Sequence, residues 1–191
     1  MEILEALEAS AYAMWIKESS TAYVAFLAFH SIGMAFLVGI SGATAMRVLG
    51  IARSIPLEPM HGFFPLMYAG FWINAVTGVV LLSLYPTQFL LDLNTYIKLA
   101  AVVAAMVIIL KLQAHVFGDG AGMDTPEGTK KAKMLARALL TVWFIAVVAG
   151  RVMAYGLTTK LQTAGAAIVT AIVALVILYF AGRKYGWIES S

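Results

Sequence analysis

An all-α bundle of five transmembrane helices, with an N-terminal amphipathic helix on the membrane surface, is the fold this sequence predicts. Three observations carry it: the composition, the apolar runs and the placement of basic residues. Of 191 residues, 62% are hydrophobic and 12% charged, about half the charge of a soluble domain. A chain of this size cannot hide so much apolar surface in one soluble core, and lipid is the natural solvent for the rest. Apolar runs occupy 23–46, 60–84, 97–117, 134–155 and 161–181. Each is long enough to cross a bilayer as a helix, which takes roughly 20 residues. Helices are required because lipid cannot satisfy backbone groups that other structures leave open. The whole chain reads as one transmembrane domain without internal repeats.

The elements follow in order. Ile3, Leu4, Leu7, Ala11, Met14 and Trp15 recur at helical spacing, with Glu2, Glu5 and Glu8 largely off the stripe. This predicts one interfacial helix over 1–19. The acidic start is unlike a cleavable signal peptide. The first span carries His30, followed by Gly33, Gly39 and Gly42, a run suited to facing a bulky planar group. The second begins with Met60 and His61, and Pro65 removes the hydrogen bond that the His61 carbonyl would accept, which opens the backbone there. Asn74 and Thr77 lie deeper in this span, and the third carries Lys98 and His115. Loop 3 reads as the only sizeable loop, with a flexible Gly118-Asp119-Gly120-Ala121-Gly122 stretch and a helix start at Thr125-Pro126-Glu127. Its carboxylates lack calcium-loop spacing, so it reads as a solvated turn. The fourth span ends near Arg151. The fifth has no ionisable residue between Leu161 and Phe180, and its small residues Thr163, Ala167, Thr170, Ala171 and Ala174 predict close packing against the rest of the chain.

Topology comes from the cations. Arg47, Arg53, Lys111, Lys130, Lys131, Lys133, Arg137, Arg183 and Lys184 flank one side of the membrane; Lys17, Lys98, Arg151 and Lys160 flank the other. Basic loops stay in the cytoplasm. The expectation is a bacterial cytoplasmic membrane protein with its N-terminus outside and its C-terminus inside. Tyr12, Trp15, Tyr23, Tyr85, Tyr96 and Tyr155 then form an outer aromatic belt, and Tyr185 and Trp187 sit at the inner interface.

Ionisable residues within a bilayer are costly, so each marks a candidate site. His61 and His115 fall at one depth, about 16 and 14 Å to the cytoplasmic side of their span centres. Paired histidines on neighbouring helices suit axial ligation of haem b or a single metal ion; the alternative is contact with headgroups. His30 lies about 7–8 Å to the outer side, with Arg151 at similar depth and Thr77, Asn74 and Lys98 nearby. Lys98 and Arg151 suit carboxylates such as haem propionates, or an anionic or quinone-like molecule; the alternative is a structural polar cluster in which His30 and Arg151 bond to backbone and hydroxyl groups. No Asp or Glu lies inside any span, so Arg151 lacks an ion-pair partner at its own level. His30 and His115 differ in level by about 20 Å and cannot share one iron. A second ligand opposite His30 would be Met153 or a His30 from a second copy, Met34 lying on the same helix face. The methionines form no cluster of the kind copper(I) would need, and methionine is an ordinary packing residue.

The motifs Trp15-Ile16-Lys17-Glu18-Ser19, Phe29-His30-Ser31-Ile32-Gly33, Val38-Gly39, Arg47-Val48-Leu49-Gly50, Ala69-Gly70-Phe71, Thr77-Gly78, Tyr96-Ile97-Lys98, His115 and Gly150-Arg151-Val152-Met153-Ala154-Tyr155 run through most of the chain. In these the sequence resembles a bacterial family of small multi-span membrane proteins described only as a domain of unknown function. The resemblance implies that His30, Lys98, His115 and Arg151 are positions of interest, includes His61 less clearly, and implies no activity. A looser likeness to cytochrome-b-type and copper-resistance membrane proteins rests on histidines in a small bundle alone.

With no cysteine, the chain has no disulfide, iron–sulfur cluster or thiolate metal site. Nothing points to nucleic acid. Nucleotide-binding glycine motifs and metalloprotease signatures are missing, so a stand-alone enzyme is not expected. The first functional expectation is a haem b protein in electron transfer, with a possible quinone partner. The alternatives are a non-catalytic subunit or assembly partner of a larger membrane complex, itself or as a homo-oligomer, and a small transporter or metal-handling protein.

Overall fold

The computed structural model describes residues 1–118, 122–153, 155 and 157–184. Tyr185, Trp187, Ala154 and the centre of the Gly118–Gly122 stretch lie outside the described residues. The described chain is helical, with no strand. Five of its helical segments, Ser20–Val48, Glu58–Leu84, Leu93–Phe117, Pro126–Val152 and Leu161–Arg183, are long and apolar enough to cross a membrane.

The N-terminal segment is two helices rather than the single one expected, α1 (Glu2–Glu8) and α2 (Ala11–Glu18). Ser10 divides them: its hydroxyl accepts the Ala13 N–H at 3.2 Å and starts α2 afresh. The buried face also differs. Ala13 and Ile16 pack with Leu84, Phe26, Val80, Leu81 and Tyr85. Of the expected stripe, Ile3 is 84% and Trp15 64% exposed. The pair is docked on protein, and its apolar stripe faces outward. Polar ties hold it there. The Lys17 ammonium donates to the Glu8 carbonyl at 3.0 Å, lies 3.9 Å from the Glu8 carboxylate and sits 4.6 Å from the Tyr85 ring centre. The Thr87 hydroxyl donates to the other Glu8 carboxylate oxygen.

Helix α3 (Ser20–Val48) starts at Ser19, whose hydroxyl accepts the Ala22 N–H at 3.1 Å. A segment at 49–57 follows, comparable in length to the segment at 118–125, so loop 3 is not the only sizeable loop. Arg47 closes it, donating to the carbonyls of Ile55 at 2.5 Å and Arg53 at 3.3 Å, and Gly50 turns it at φ +94°. A 3-10 turn, Glu58–Phe63, precedes α4 (Phe64–Leu84). His61 therefore lies before the α-helix, and Pro65 stands in its first turn. The expected mid-helix opening is absent because a proline at that position has no hydrogen bond to break. The single turn α5 (Pro86–Phe89) leads to α6 (Leu93–Phe117), and α7 (Pro126–Val152) begins where expected, with the Thr125 hydroxyl accepting the Gly128 N–H at 3.0 Å. Last comes α8 (Leu157–Lys184).

Two close-packed hairpins, α3–α4 and α6–α7, make the bundle, joined where α3 meets α7. The first is held at Gly33 and Gly70. A Cβ on Gly33 would lie 2.7 Å from both the Asn74 nitrogen and the Gly70 oxygen, and one on Gly70 would lie 2.7 Å from the Phe36 Cβ. This corrects the planar-cradle expectation: the α4 backbone already fills the space at Gly33, while Gly39 has nothing within 4 Å. The hairpins are joined by the Trp143 indole N–H, which donates to the Ser41 hydroxyl at 2.9 Å; Ser41 donates onward to the Leu37 carbonyl at 2.6 Å. Leu37, Met67, Ala105, Ile109, Leu139 and Trp143 form the core around them.

Helix α8 departs from expectation. It packs beside α7, and none of its most apolar window is buried. Thr170 and Ala174 are exposed, and Gly165 meets nothing within 4 Å. Thr163, Ala167 and Ala171 are half-buried, so the small-residue stripe is partly covered but not closely packed.

Candidate functional site

His30 sits on α3 facing α4, in the half of the bundle beneath α2. Its Nδ1 lies 3.0 Å from the Asn74 carbonyl oxygen and 3.2 Å from the Thr77 hydroxyl. A carbonyl only accepts, so Nδ1 carries the proton and Nε2 of the neutral ring is left as an acceptor. Thr77 gives its own proton to the Ile73 carbonyl at 2.6 Å, which leaves its lone pairs facing the ring. The Asn74 amide donates back to the His30 carbonyl at 2.8 Å. The imidazole is thereby clamped to one orientation and one tautomer.

Gly78 makes the slot for this ring: a Cβ there would stand 3.0 Å from His30 Cε1. Gly150 does the same for Lys98. A Cβ on Gly150 would lie 3.3, 3.4 and 3.6 Å from Lys98 Cδ, Cε and Nζ. The half-buried lysine stem thus crosses α7 at a position without a side chain. One ion pair, Lys17–Glu8, occurs among the described residues. Lys98 therefore has no carboxylate partner among them. No buried side-chain nitrogen or oxygen there lacks a hydrogen bond, so the ammonium is reachable from its surroundings.

Sequence reading placed Arg151 and Thr77 near the level of His30, Asn74 deeper and Lys98 closer to the surface; hydrogen bonds join His30, Asn74 and Thr77, while Lys98 lies against Gly150 of α7. Arg151 is elsewhere in character. It is exposed on the last turn of α7 and makes no bond to any described residue.

The other two histidines have separate partners. The Gln113 amide donates to His61 Nε2 at 3.2 Å, its orientation set by the Tyr68 hydroxyl, which donates to Gln113 Oε1 at 2.5 Å. The exposed His61 ring is stacked loosely between Phe117 at 5.0 Å and Phe64 at 5.7 Å. His115 turns toward loop 3, where its Nε2–H donates to the Gly128 carbonyl at 2.9 Å. A Cβ on Gly122 would stand 2.7 Å from His115 Cε1. Among the described residues, no group of three or more histidines, aspartates or glutamates could hold a metal ion.

No protein-family model, curated protein or solved structure matches this chain.

Sequence reasoning missed Gln113, Tyr68, Gly78 and Gly150. Gln113 had a signal, as a lone amide in an apolar run two residues before His115. The two glycines had none, because their role is to leave room for side chains from other helices.

Proposed function

We propose that this chain is an electron-transfer protein of the bacterial cytoplasmic membrane that binds a quinone between its two hairpins, at His30 and Lys98, with its N-terminus outside. One observation carries the reading: a tautomer-fixed imidazole with a free acceptor nitrogen on one hairpin and, on the other, an ammonium with no carboxylate partner among the described residues. An oxidised quinone offers carbonyl oxygens, which accept from Lys98. A reduced quinol offers hydroxyls, which donate to His30 Nε2. The two groups are therefore suited to hydrogen-bond both forms. Burial of Ala13 and Ile16 over Leu84 stoppers this end of the bundle. Such a lid favours a lipid-soluble ligand that arrives sideways through the bilayer. The resemblance to the bacterial membrane family implies His30 and Lys98 among its positions of interest, together with His115 and Arg151.

A bis-histidine haem b fits less well. At His61 and His115 both Nε2 atoms already have protein partners, and His30 faces no second histidine among the described residues. No step is therefore derived through haem.

The deciding experiment is titration of the protein in nanodiscs with a short-tailed quinone, followed by tryptophan quenching. Saturable quinone binding weakened tenfold or more in Lys98→Met is expected, since a hydrogen bond to a charged group contributes about 1.5–3 kcal/mol, and the same titration with the quinol should show the weakening in His30→Ala. Unaltered affinity in both variants would overturn the site. A Soret band abolished by His61→Ala or His115→Ala would return the function to haem.

A second reading, a subunit of a larger membrane assembly, is favoured by α8, whose apolar surface is left bare by its own chain. A monodisperse monomer in native membranes, shown by crosslinking at Ala174→Cys, would remove it.

A further inference from the structure

The loop-3 end of α7 carries a group of cations that the quinone site does not use. At about 100° per residue, Lys130, Lys133 and Arg137 fall on one side of the helix, within two turns. That side continues through Met134 and Thr141 to Phe144 and Ile145, all exposed: Met134 is 60%, Phe144 37% and Ile145 42% accessible. The opposite side is the packed one, with Ala132, Ala136, Leu139, Trp143 and Ala146 buried. The cations therefore do not face a protein interior or the bundle axis. They stand at the head of the stripe that faces lipid. Lys131 is exposed beside them.

None of these cations has an ion pair with a described residue, Lys17–Glu8 being the one such pair. Asp124 and Glu127 are exposed and precede the group on the loop side. No carboxylate follows on α7 after Glu127. Moving along the face from loop to membrane, charge is thus first mixed, then wholly positive, then absent. Long basic side chains at such a boundary lay their stems on apolar surface and bring their heads to the phosphate level.

We propose that this face of α7 binds anionic phospholipid headgroups, with Arg137 engaging a phosphate in bidentate fashion and Lys130 and Lys133 adding charge around it. Arginine suits the first role because its fork matches two phosphate oxygens. The exposed Met134, Phe144 and Ile145 receive the acyl chains below. The inference stands apart from the quinone reading and uses none of its residues.

The test is native mass spectrometry of the full chain extracted from bilayers of phosphatidylcholine mixed with phosphatidylglycerol. Wild type should retain phosphatidylglycerol severalfold over its share of the bilayer, and added salt should reduce the excess. The triple variant K130Q/K133Q/R137Q, with positions 130 and 137 exposed and 133 half-buried, should retain both lipids in bilayer proportion, and K130R/K133R should keep the wild-type preference. Equal phosphatidylglycerol retention by wild type and the triple variant would overturn the proposal, as would no preference in wild type. The cations would then be a solvated face that only orients the chain.

Discussion

At the scale of single residues, two glycines define the candidate site as much as its charged groups do. Gly78 and Gly150 each leave the space that a neighbouring helix's functional side chain occupies. Enlarging them is therefore a way to move His30 or Lys98 without changing either. Gly78→Val is expected to push the imidazole off the Asn74 carbonyl and weaken quinol binding about as much as His30→Ala. Gly150→Val should reproduce Lys98→Met. Quinol and quinone titration beside a thermal melt separates this from misfolding, since a displaced side chain lowers affinity with little change in midpoint. Trp143→Phe tests a different residue-scale claim. It removes one donor and leaves Ser41 bonded to Leu37, so a loss of about 0.5–1.5 kcal/mol is expected, read from the thermal midpoint.

At the scale of elements, the helices were legible and their local punctuation less so. Five apolar runs fixed the existence of five long helices because length and hydropathy are local properties. Thr125-Pro126-Glu127 was readable as a start because capping is local too. Boundaries moved where tertiary contact or a competing cap decided them. Ser10 split the N-terminal helix, and docking on Leu84 buried Ala13 and Ile16 in place of the expected stripe. Pro65 was misplaced because the same residue that breaks a helix interior is welcome in its first turn. The polar meeting of His30, Asn74 and Thr77 was within reach of depth arithmetic. The partners of His61 and His115 were not, since depth says nothing of rotation about a helix axis. The Gly33–Gly70 crossing yields a paired prediction. Gly33→Val must open the α3–α4 hairpin, with an overpacking cost of about 1–3 kcal/mol, whereas Gly39→Val, with open space around it, should leave the midpoint unchanged. Equal effects of the two would mean the crossing is not close.

At the scale of the whole molecule, the chain is a compact pair of hairpins with a fifth long helix set beside it. The hairpins share a core through Leu37, Met67, Leu139 and Trp143, while α8 contributes no buried side chain in its apolar window. Removing residues after 156 should therefore leave quinone affinity and the thermal midpoint of the remaining bundle near wild type. A collapse of both would show that α8 supports the bundle in the membrane through contacts with a second copy.

The division of the site between hairpins has a consequence for how the protein can be taken apart. His30, Asn74, Thr77 and Gly78 belong to the first hairpin, and Lys98 and Gly150 to the second. Each half satisfies its own backbone within its helices, and neither alone holds both polar groups. A chain severed between 92 and 93 and supplied as two separately encoded fragments should reconstitute by complementation, with ligand capture restored only when both are present. Ligand capture would then report the moment the halves meet.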